Sequence, residues 1–475
     1  MLSKYLHILS LISVLVLGSF QTRASHVLGG EITWTCNGSG LYVFELTFFR
    51  DCNGFDVNTG TESILVWNHP TVDFIDVDFV SRIDISPTCS VVPNGPAQLD
   101  CGNGTSGGNG IGAIEKVLYR SNPIDLGIIP TAGITFTFDS FSRSGLITNI
   151  QNTTSIGITL TAEMYGFPGQ ASGQCVDNSP QFLQDPYMVS CVGEAYSFNQ
   201  HAADLDNDSL VFSWDIPLDD FTGPYNPPLT PSNVTFELGF SATNPTPDAN
   251  FNINNVPANL DTESGEITFT SFNIGGYNLK VRTDSYRDGI KIASVVREMP
   301  VFVKACDAAN TAPTLNAPFN TNSTFEIDVI AGNPVNFNLT SVDIENLQDG
   351  SPQQNIITAT GTMFGDNFIN PAVGCAVAPC ATLDATPLIT GINGASTDFN
   401  WQTDCAHLLN ADGDVLSEVP YLFVFRIQDD YCDVPKVKYA TVKVNVQNSD
   451  VIGPTSISCI QTDAADNITV NWESV

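Results

Sequence analysis

An all-β fold of tandem β-sandwiches behind an N-terminal β-rich domain is predicted by three features of the sequence: apolar alternation at period two, turn clusters between the alternating runs, and an internal repeat. Tyr42, Phe44, Leu46 and Phe48 fall on one face of an extended chain, as do Ile134, Phe136 and Phe138, then Ile158, Leu160, Ala162 and Met164. Val442, Val444 and Val446 stand opposite Thr441, Lys443 and Asn445 in the same way. Asn37-Gly38-Ser39-Gly40, Pro93-Asn94-Gly95-Pro96 and Asp412-Gly413-Asp414 supply turns. With 37 Gly and 28 Pro in the chain, long helices have little room.

Taken in order, residues 1–24 predict a signal peptide. Lys4 provides the positive start, Leu6 to Leu17 an apolar core too short for a stable membrane span, and Thr22-Arg23-Ala24 small residues for cleavage before Ser25. Residues 25–170 predict a β-rich domain. Within 171–449 the chain repeats itself. Gly193, Phe198-Asn199 and Asp204-x-Asp206 align without a gap on Gly332, Phe337-Asn338 and Asp343-x-Glu345, and Tyr277 to Arg282 matches Tyr421 to Arg426. Two Ig-like sandwiches, 171–307 and 308–449, account for this, with Ala308 to Pro313 as the hinge. From 450 to 475, Ile457 and the Ile468-Thr-Val470-Asn-Trp472 run predict the start of an incomplete fibronectin III-like module, hence a longer protein.

The charge of −34, from 51 Asp+Glu against 17 Lys+Arg, leaves no basic surface for nucleic acid and repels anionic lipid. Past the signal peptide no apolar run is long enough to span a membrane. The 12 cysteines fit an exported, oxidised chain. Short intervals favour pairs Cys89–Cys101, Cys175–Cys191 and Cys405–Cys432, and Cys375 lies close to Cys380; Cys306 is an alternative partner for Cys175 or Cys191. No cysteine pair has histidines at zinc-finger spacing.

Motifs for catalysis are weak. Gly102-x-Gly104-x-x-Gly107 and the Gly-x-Ser-x-Gly around Ser106 lack the following helix that a dinucleotide loop or nucleophile elbow needs. His26, His69, His201 and His407 have no metalloprotease-like or comparable setting and read as turn or packing residues. No catalytic or cofactor-binding residue is assigned. One constellation stands out: Asp204, Asp206 and Asp208 put three carboxylates on alternate residues, a pattern that wraps oxygens around calcium, and Asp343 with Glu345 repeats part of it. Carboxylates from the acidic turns after Tyr277 (Asp284, Asp288) or Tyr421 (Asp429, Asp430, Asp433) would complete the shell if those turns reach the same end of the sandwich.

Ser25-His26-Val27-Leu28-Gly29-Gly30-Glu31-Ile32-Thr33-Trp34, Arg50-Asp51-Cys52-Asn53-Gly54, Tyr119-Arg120-Ser121-Asn122, Ser179-Pro180-x-Phe182, Ala203-Asp204-x-Asp206-x-Asp208-Ser209-Leu210 and Arg297-Glu298 resemble the start of large surface proteins of gliding bacteria exported by the type IX secretion system. The resemblance covers roughly 25–306. It implies a multidomain, adhesin-like protein with cadherin-like, PKD or fibronectin III modules, attached to the outer cell surface. It also implies a C-terminal gliding-motility-associated domain, absent here, that engages the secretion machinery. The ligand class left open is an extracellular polysaccharide or protein. The alternative is a non-catalytic spacer or carbohydrate-binding portion of a larger exported hydrolase. Ser140-Phe141-Ser142 departs from the family, standing before Arg143 where a cysteine pair is expected.

The exported protein is expected to begin at Ser25. Mass-spectrometric sequencing of cell-surface material checks this, and an intact Met1 overturns it.

Overall fold

The computed structural model describes residues 27–472 apart from 38, 55, 103–106, 172, 221–231, 308–309, 322, 387, 411–412, 433, 450–456 and 463–467. The expected signal peptide therefore lies outside the described residues, as does Ser106. The fold is all-β, in tandem sandwiches joined to an N-terminal barrel.

The N-terminal region supplies β1 (Val27–Cys36), β2 (Tyr42–Asp51), β3 (Thr61–Trp67), β4 (Phe74–Asp84), β5 (Ile114–Ser121), β6 (Ile134–Ser140) and β7 (Ile158–Met164). The next segment supplies β8 (Gln181–Phe182), β9 (Val189–Cys191), β10 (Ala195–Asn199), β11 (Ala202–Ala203), β12 (Ser209–Trp214), β13 (Val256–Leu260), β14 (Glu266–Thr270), β15 (Gly275–Arg287) and β16 (Ile290–Lys304). One sheet runs β1-β2-β5-β4-β3-β6-β7-β16-β15-β12, and Gly30 pairs with Glu298 to bring β16 back to β1. The first eight strands of that order thus close into a ring, which leaves the barrel no open edge. Alternation puts Tyr42, Phe44, Leu46 and Phe48 inside it, each no more than 3% exposed. Trp34, Phe44 and Phe136 pack there with ring centroids 4.7–6.0 Å apart.

This topology corrects the division expected at 170. β16 pairs with β7 over Ala293–Val295 and with β15 along its whole length, so one strand serves both bodies. Ala293 and Val295 line the barrel core, whereas Met299, Val301 and Val303 line the core of the first sandwich with Phe198, Phe212 and Leu279. Fifteen residues at about 3.3 Å each span roughly 50 Å, enough to cross two domains. The second layer of this sandwich is β10-β14-β13.

The second sandwich packs β17 (Thr314–Leu315), β19 (Pro334–Val342), β23 (Ser396–Gln402) and β21 (Thr382–Leu383) against β18 (Glu326–Ile330), β25 (Val437–Gln447), β24 (Glu418–Gln428), β20 (Gln354–Thr360) and β22 (Ile389–Ile392). Its core holds Phe337, Phe399, Trp401, Phe423, Val442, Val444 and Val446. Both sandwiches start in the same register: Ala202 pairs with Phe182 and Ala203 with Gln181, as Ser341 pairs with Leu315 and Val342 with Thr314. At the chain end β26 (Ile457–Thr462) and β27 (Ile468–Trp472) pair antiparallel.

The disulfides correct the local pairing. They join Cys36–Cys175, Cys52–Cys101, Cys89–Cys432, Cys191–Cys306 and Cys375–Cys380, and Cys405 is also disulfide-bonded. The neighbouring pair Cys375–Cys380 and the alternative Cys191–Cys306 form as expected, whereas Cys89–Cys101, Cys175–Cys191 and Cys405–Cys432 do not. Proximity in sequence misleads here because the barrel returns distant segments to one place, and the loop after β4 reaches the second sandwich. There Ser90 N donates to the Asp430 carbonyl at 2.8 Å and Gln428 Nε2 to the Thr88 carbonyl at 2.6 Å.

Gly29 and Gly30 sit where β1 crosses β16. A Cβ on Gly29 would lie 1.8 Å from the Glu298 carbonyl oxygen. Gly29→Ala is expected to wedge the ring open and cost about 3 kcal/mol, the upper range for overpacking, measured by urea unfolding; a loss under about 0.5 kcal/mol would show that this crossing does not hold the barrel.

Candidate metal site

The acidic loop follows β11 and precedes β12. Asp204 Oδ1 accepts the backbone N–H of Asp206 at 2.8 Å and of Asp208 at 3.2 Å, an Asx turn that curls the loop, with Asn207 in the left-handed region at φ 61°. Asp206 reaches the segment leading into β8. Its two oxygens accept Asn178 N at 2.7 Å and Asn178 Nδ2 at 2.9 Å. Asp208 takes a two-pronged contact from Arg287 at the end of β15, Nε at 2.9 Å and Nη2 at 2.6 Å.

A fourth carboxylate joins them. Asp177 is 2% exposed and neither of its oxygens accepts a hydrogen bond; its nearest cation is Arg287 Nη2 at 3.6 Å. Ligand oxygens of Asp177, Asp204, Asp206 and Asp208 lie within 4.8 Å of one another. Burial, then the neighbouring carboxylates, push the Asp177 carboxyl well above the usual range and Asp204 to about 7. Burial also raises Asp208 against the pull of Arg287, and the carboxylates raise the Arg287 guanidinium against its own burial. Arg287 is further held by its Nη1 on the Val176 carbonyl at 2.8 Å, and Ser285 Oγ donates to Asp204 Oδ2 at 2.9 Å. A cleft of about 850 Å³ between the two sandwiches has Asp204, Asn207 and Asp208 in its wall, with Glu326 and Lys443 also lining it.

The structure does not bring Asp343 and Glu345 into this group. Asp343 Oδ1 accepts Glu345 N at 3.1 Å, the same Asx turn as Asp204. Glu345 accepts Thr311 N at 2.8 Å and Thr311 Oγ1 at 2.7 Å, holding the segment before β17 as Asp206 holds that before β8. The turns after Tyr277 and Tyr421 do reach these ends, but with different groups. Asp284 pairs with Lys291 at 2.9 Å, and Arg287 is what enters the cluster. Asp429 accepts Asn310 Nδ2, Tyr431 N and Lys436 N at 2.8–3.1 Å, and burial raises its carboxyl to about 7. Sequence reasoning missed Asp177 and Arg287. The one available signal was Asp177 beside Asn178-Ser179-Pro180, at the head of the repeat.

The remaining candidates have structural employment. His69 Nδ1 accepts Thr71 N and Val72 N, closing a turn. His407 Nδ1 accepts Asp404 N at 2.8 Å in a capping box. His201 contacts Thr360 Oγ1 through Nδ1 at 2.7 Å across the two sandwiches. His26 lies outside the described residues. Cys52, Cys101 and Glu115 also converge, but the two thiols are joined and Glu115 pairs with Arg50 at 2.5 Å.

No family model matches the chain, and no curated protein matches it. Among solved structures the chain is similar to domains 1–6 of the surface layer protein SbsC, at 10% identity and a TM-score of 0.15, covering 90% of this chain and 56% of that one. It is also similar to Drosophila OTK extracellular domains 3–5, at 9% identity and a TM-score of 0.15, covering 88% and 92%. Zebrafish RET cadherin-like domains 1 to 4 match at 10% identity with a TM-score of 0.16, covering 88% and 90%. The chain thus spans little more than half the length of the surface layer protein.

Burial lowers the His201 imidazole from 6.5 to about 4. The unfolded chain therefore takes up a proton first, and the contribution of His201 to stability is present above pH 6.5 and lost as pH falls toward 4. His201→Asn suits the left-handed backbone at φ 46° and cannot titrate. The stability advantage of wild type over this variant is expected to shrink by about 2 kcal/mol between pH 7.5 and pH 5, read from urea unfolding. A pH-independent difference would contradict a buried neutral imidazole.

Proposed function

We propose that the chain is a structural and adhesive module of an exported protein, held on the outer surface of a gliding bacterium, and that it has no catalytic role of its own. The observation that carries this reading is the covalent frame: among the described residues no cysteine is free, and Cys89–Cys432 joins residues 343 positions apart. Such bonds persist in oxidising surroundings outside the cytosol. The described histidines, His69, His201 and His407, are absorbed in a turn, an inter-sandwich contact and a capping box, which supports a non-catalytic part. The barrel and both sandwiches are tied to one another by β16, by Cys89–Cys432 and by polar contacts such as Lys436 Nζ to Glu194 at 3.0 Å. A rigid body of this kind suits presentation of a surface away from the cell. Export through the type IX machinery belongs to the same proposal, with an extracellular polysaccharide or protein as ligand.

The test is surface biotinylation of producing cells together with adhesion of a deletion strain to a defined substratum. Labelling of intact cells and lost adhesion are expected. An intracellular protein overturns the reading, and glycan hydrolysis by the full-length protein favours the hydrolase alternative.

Replacing Cys89 and Cys432 by Ser is expected to cost about 4–6 kcal/mol, the loop-closure entropy of a ring this long. Denaturant midpoints under non-reducing conditions measure it. A loss below about 1 kcal/mol would mean that the two parts are held together without this bond.

A further inference from the structure

Four carboxylates and one guanidinium do not balance. With all of them ionised the cluster of Asp177, Asp204, Asp206, Asp208 and Arg287 keeps an excess of three negative charges, in surroundings that leave the Asp177 side chain 0% exposed, Asp208 5%, Arg287 10% and Asp206 20%. Asp177 is the decisive member. A buried carboxylate that accepts no hydrogen bond is among the costliest groups a fold can hold, unless a proton or a cation neutralises it.

The frame around it is already fixed by other contacts. Asn178 holds Asp206, the Asx turn and Ser285 hold Asp204, and these bonds leave lone pairs on the carboxylate oxygens. Oxygens within 4.8 Å of one another match a calcium ion, whose ligands at about 2.3–2.6 Å stand up to about 4.6–5.2 Å apart across the ion. Asp204 and Asp208 also line the cleft between the sandwiches, which brings solvent to two of the four carboxylates. Arg287 is the group in the way. It sits on the last residue of β15, beside the Asp288-Gly289 turn, on a long side chain that can withdraw toward that turn.

We propose that Asp177, Asp204, Asp206 and Asp208 form a calcium site in which the ion and the Arg287 guanidinium compete for the same carboxylates. The ion-free state is held by Arg287, and the ion-bound state replaces one positive charge with two. Asp177 lies between the barrel and the first sandwich in sequence, two residues after the Cys36–Cys175 bond, which places the ion at that junction. Among the described residues the second sandwich has no counterpart: its Asp343, Glu345 and Asp429 are completed by neutral donors, Thr311, Asn310 and backbone N–H groups.

The test is calorimetric titration of the full chain with calcium chloride, with thermal unfolding at constant ionic strength so that screening is not read as binding. Wild type is expected to bind one ion at this cluster and to gain in midpoint with millimolar calcium. Asp177→Asn, which keeps the shape of the side chain and removes its charge, should weaken binding at least tenfold. Arg287→Gln should lower the midpoint without calcium, bind at least tenfold more tightly, and recover its midpoint when calcium is added. Asp343→Asn should leave binding unchanged. Undiminished binding in Asp177→Asn, or none in wild type, overturns the site whether or not Arg287→Gln folds. Equal binding of magnesium overturns the assignment to calcium.

Discussion

The middle of β16 holds the molecule together, and it does so with buried charge. Arg297 and Glu298 are neighbours on a strand, so their side chains leave on opposite faces. Arg297 takes both oxygens of Glu31 on β1 at 2.7 Å, donates to the Gln184 carbonyl at 2.8 Å, and lies 4.1 Å from the centre of the Phe182 ring. Glu298 is met by Arg143 and by Asn278 of β15. Both residues are no more than 2% exposed, so each charge is tolerable only with its partner in place. Those partners come from β1, from the segment after β6, from the approach to β9 and from β15. Barrel closure and sandwich assembly are thereby conditions on each other, and Gly29 and Gly30 exist to let β1 come close enough for both.

Much of this fold is legible in the sequence because alternation reports which face of a strand is buried. Phe44, Phe136, Leu160 and Val444 fall inside where the pattern puts them. Alternation says nothing about which strand lies alongside. β16 is buried without a break from Ile292 to Val303, so its two halves look alike in sequence although one faces the barrel and the other the sandwich. The same blindness misplaced the disulfides: Cys89 is 12 residues from Cys101 but bonds to Cys432, because the loop that carries it leaves the barrel altogether.

The acidic loop was legible as a repeat, and for a reason other than metal binding. Asp204-x-Asp206 and Asp343-x-Glu345 recur because each makes an Asx turn and then clamps the strand that opens its sandwich, on Asn178 in one copy and Thr311 in the other. What separates the copies is the turn after the penultimate strand. In the first copy it brings Ser285 and Arg287; in the second Asp429 and Tyr431 occupy the matching positions, and Tyr431 Oη donates to Asp307 at 2.6 Å. No local pattern distinguishes a carboxylate that meets an amide from one that meets a guanidinium. Asp177 and Arg287 are far apart in the chain and meet through tertiary contacts alone, Arg287 on the Val176 carbonyl and Asn178 on Asp206.

A chain with 51 acids and 17 bases cannot answer every carboxylate with an ammonium or guanidinium, and its structure shows what it uses instead. Asp261 accepts Glu263 N and Ser264 N, and these bonds hold its carboxyl below the usual range. Asp349 is lowered by the hydroxyl and N–H of Ser351, and Asp248 accepts Asn250 N and Nδ2. Acidity at these positions is therefore turn chemistry, in which each side chain ties down one or two backbone N–H groups that would otherwise need water. That solution requires a donor within reach, and turns at the surface always offer one. It fails at Asp177, which is buried where β1, the loop before β12 and the end of β15 converge and where Arg287 is already committed to Asp208. The exception is thus located by the same rule that explains the other carboxylates, and its carboxyl is the one that burial and three acidic neighbours push well above the usual range.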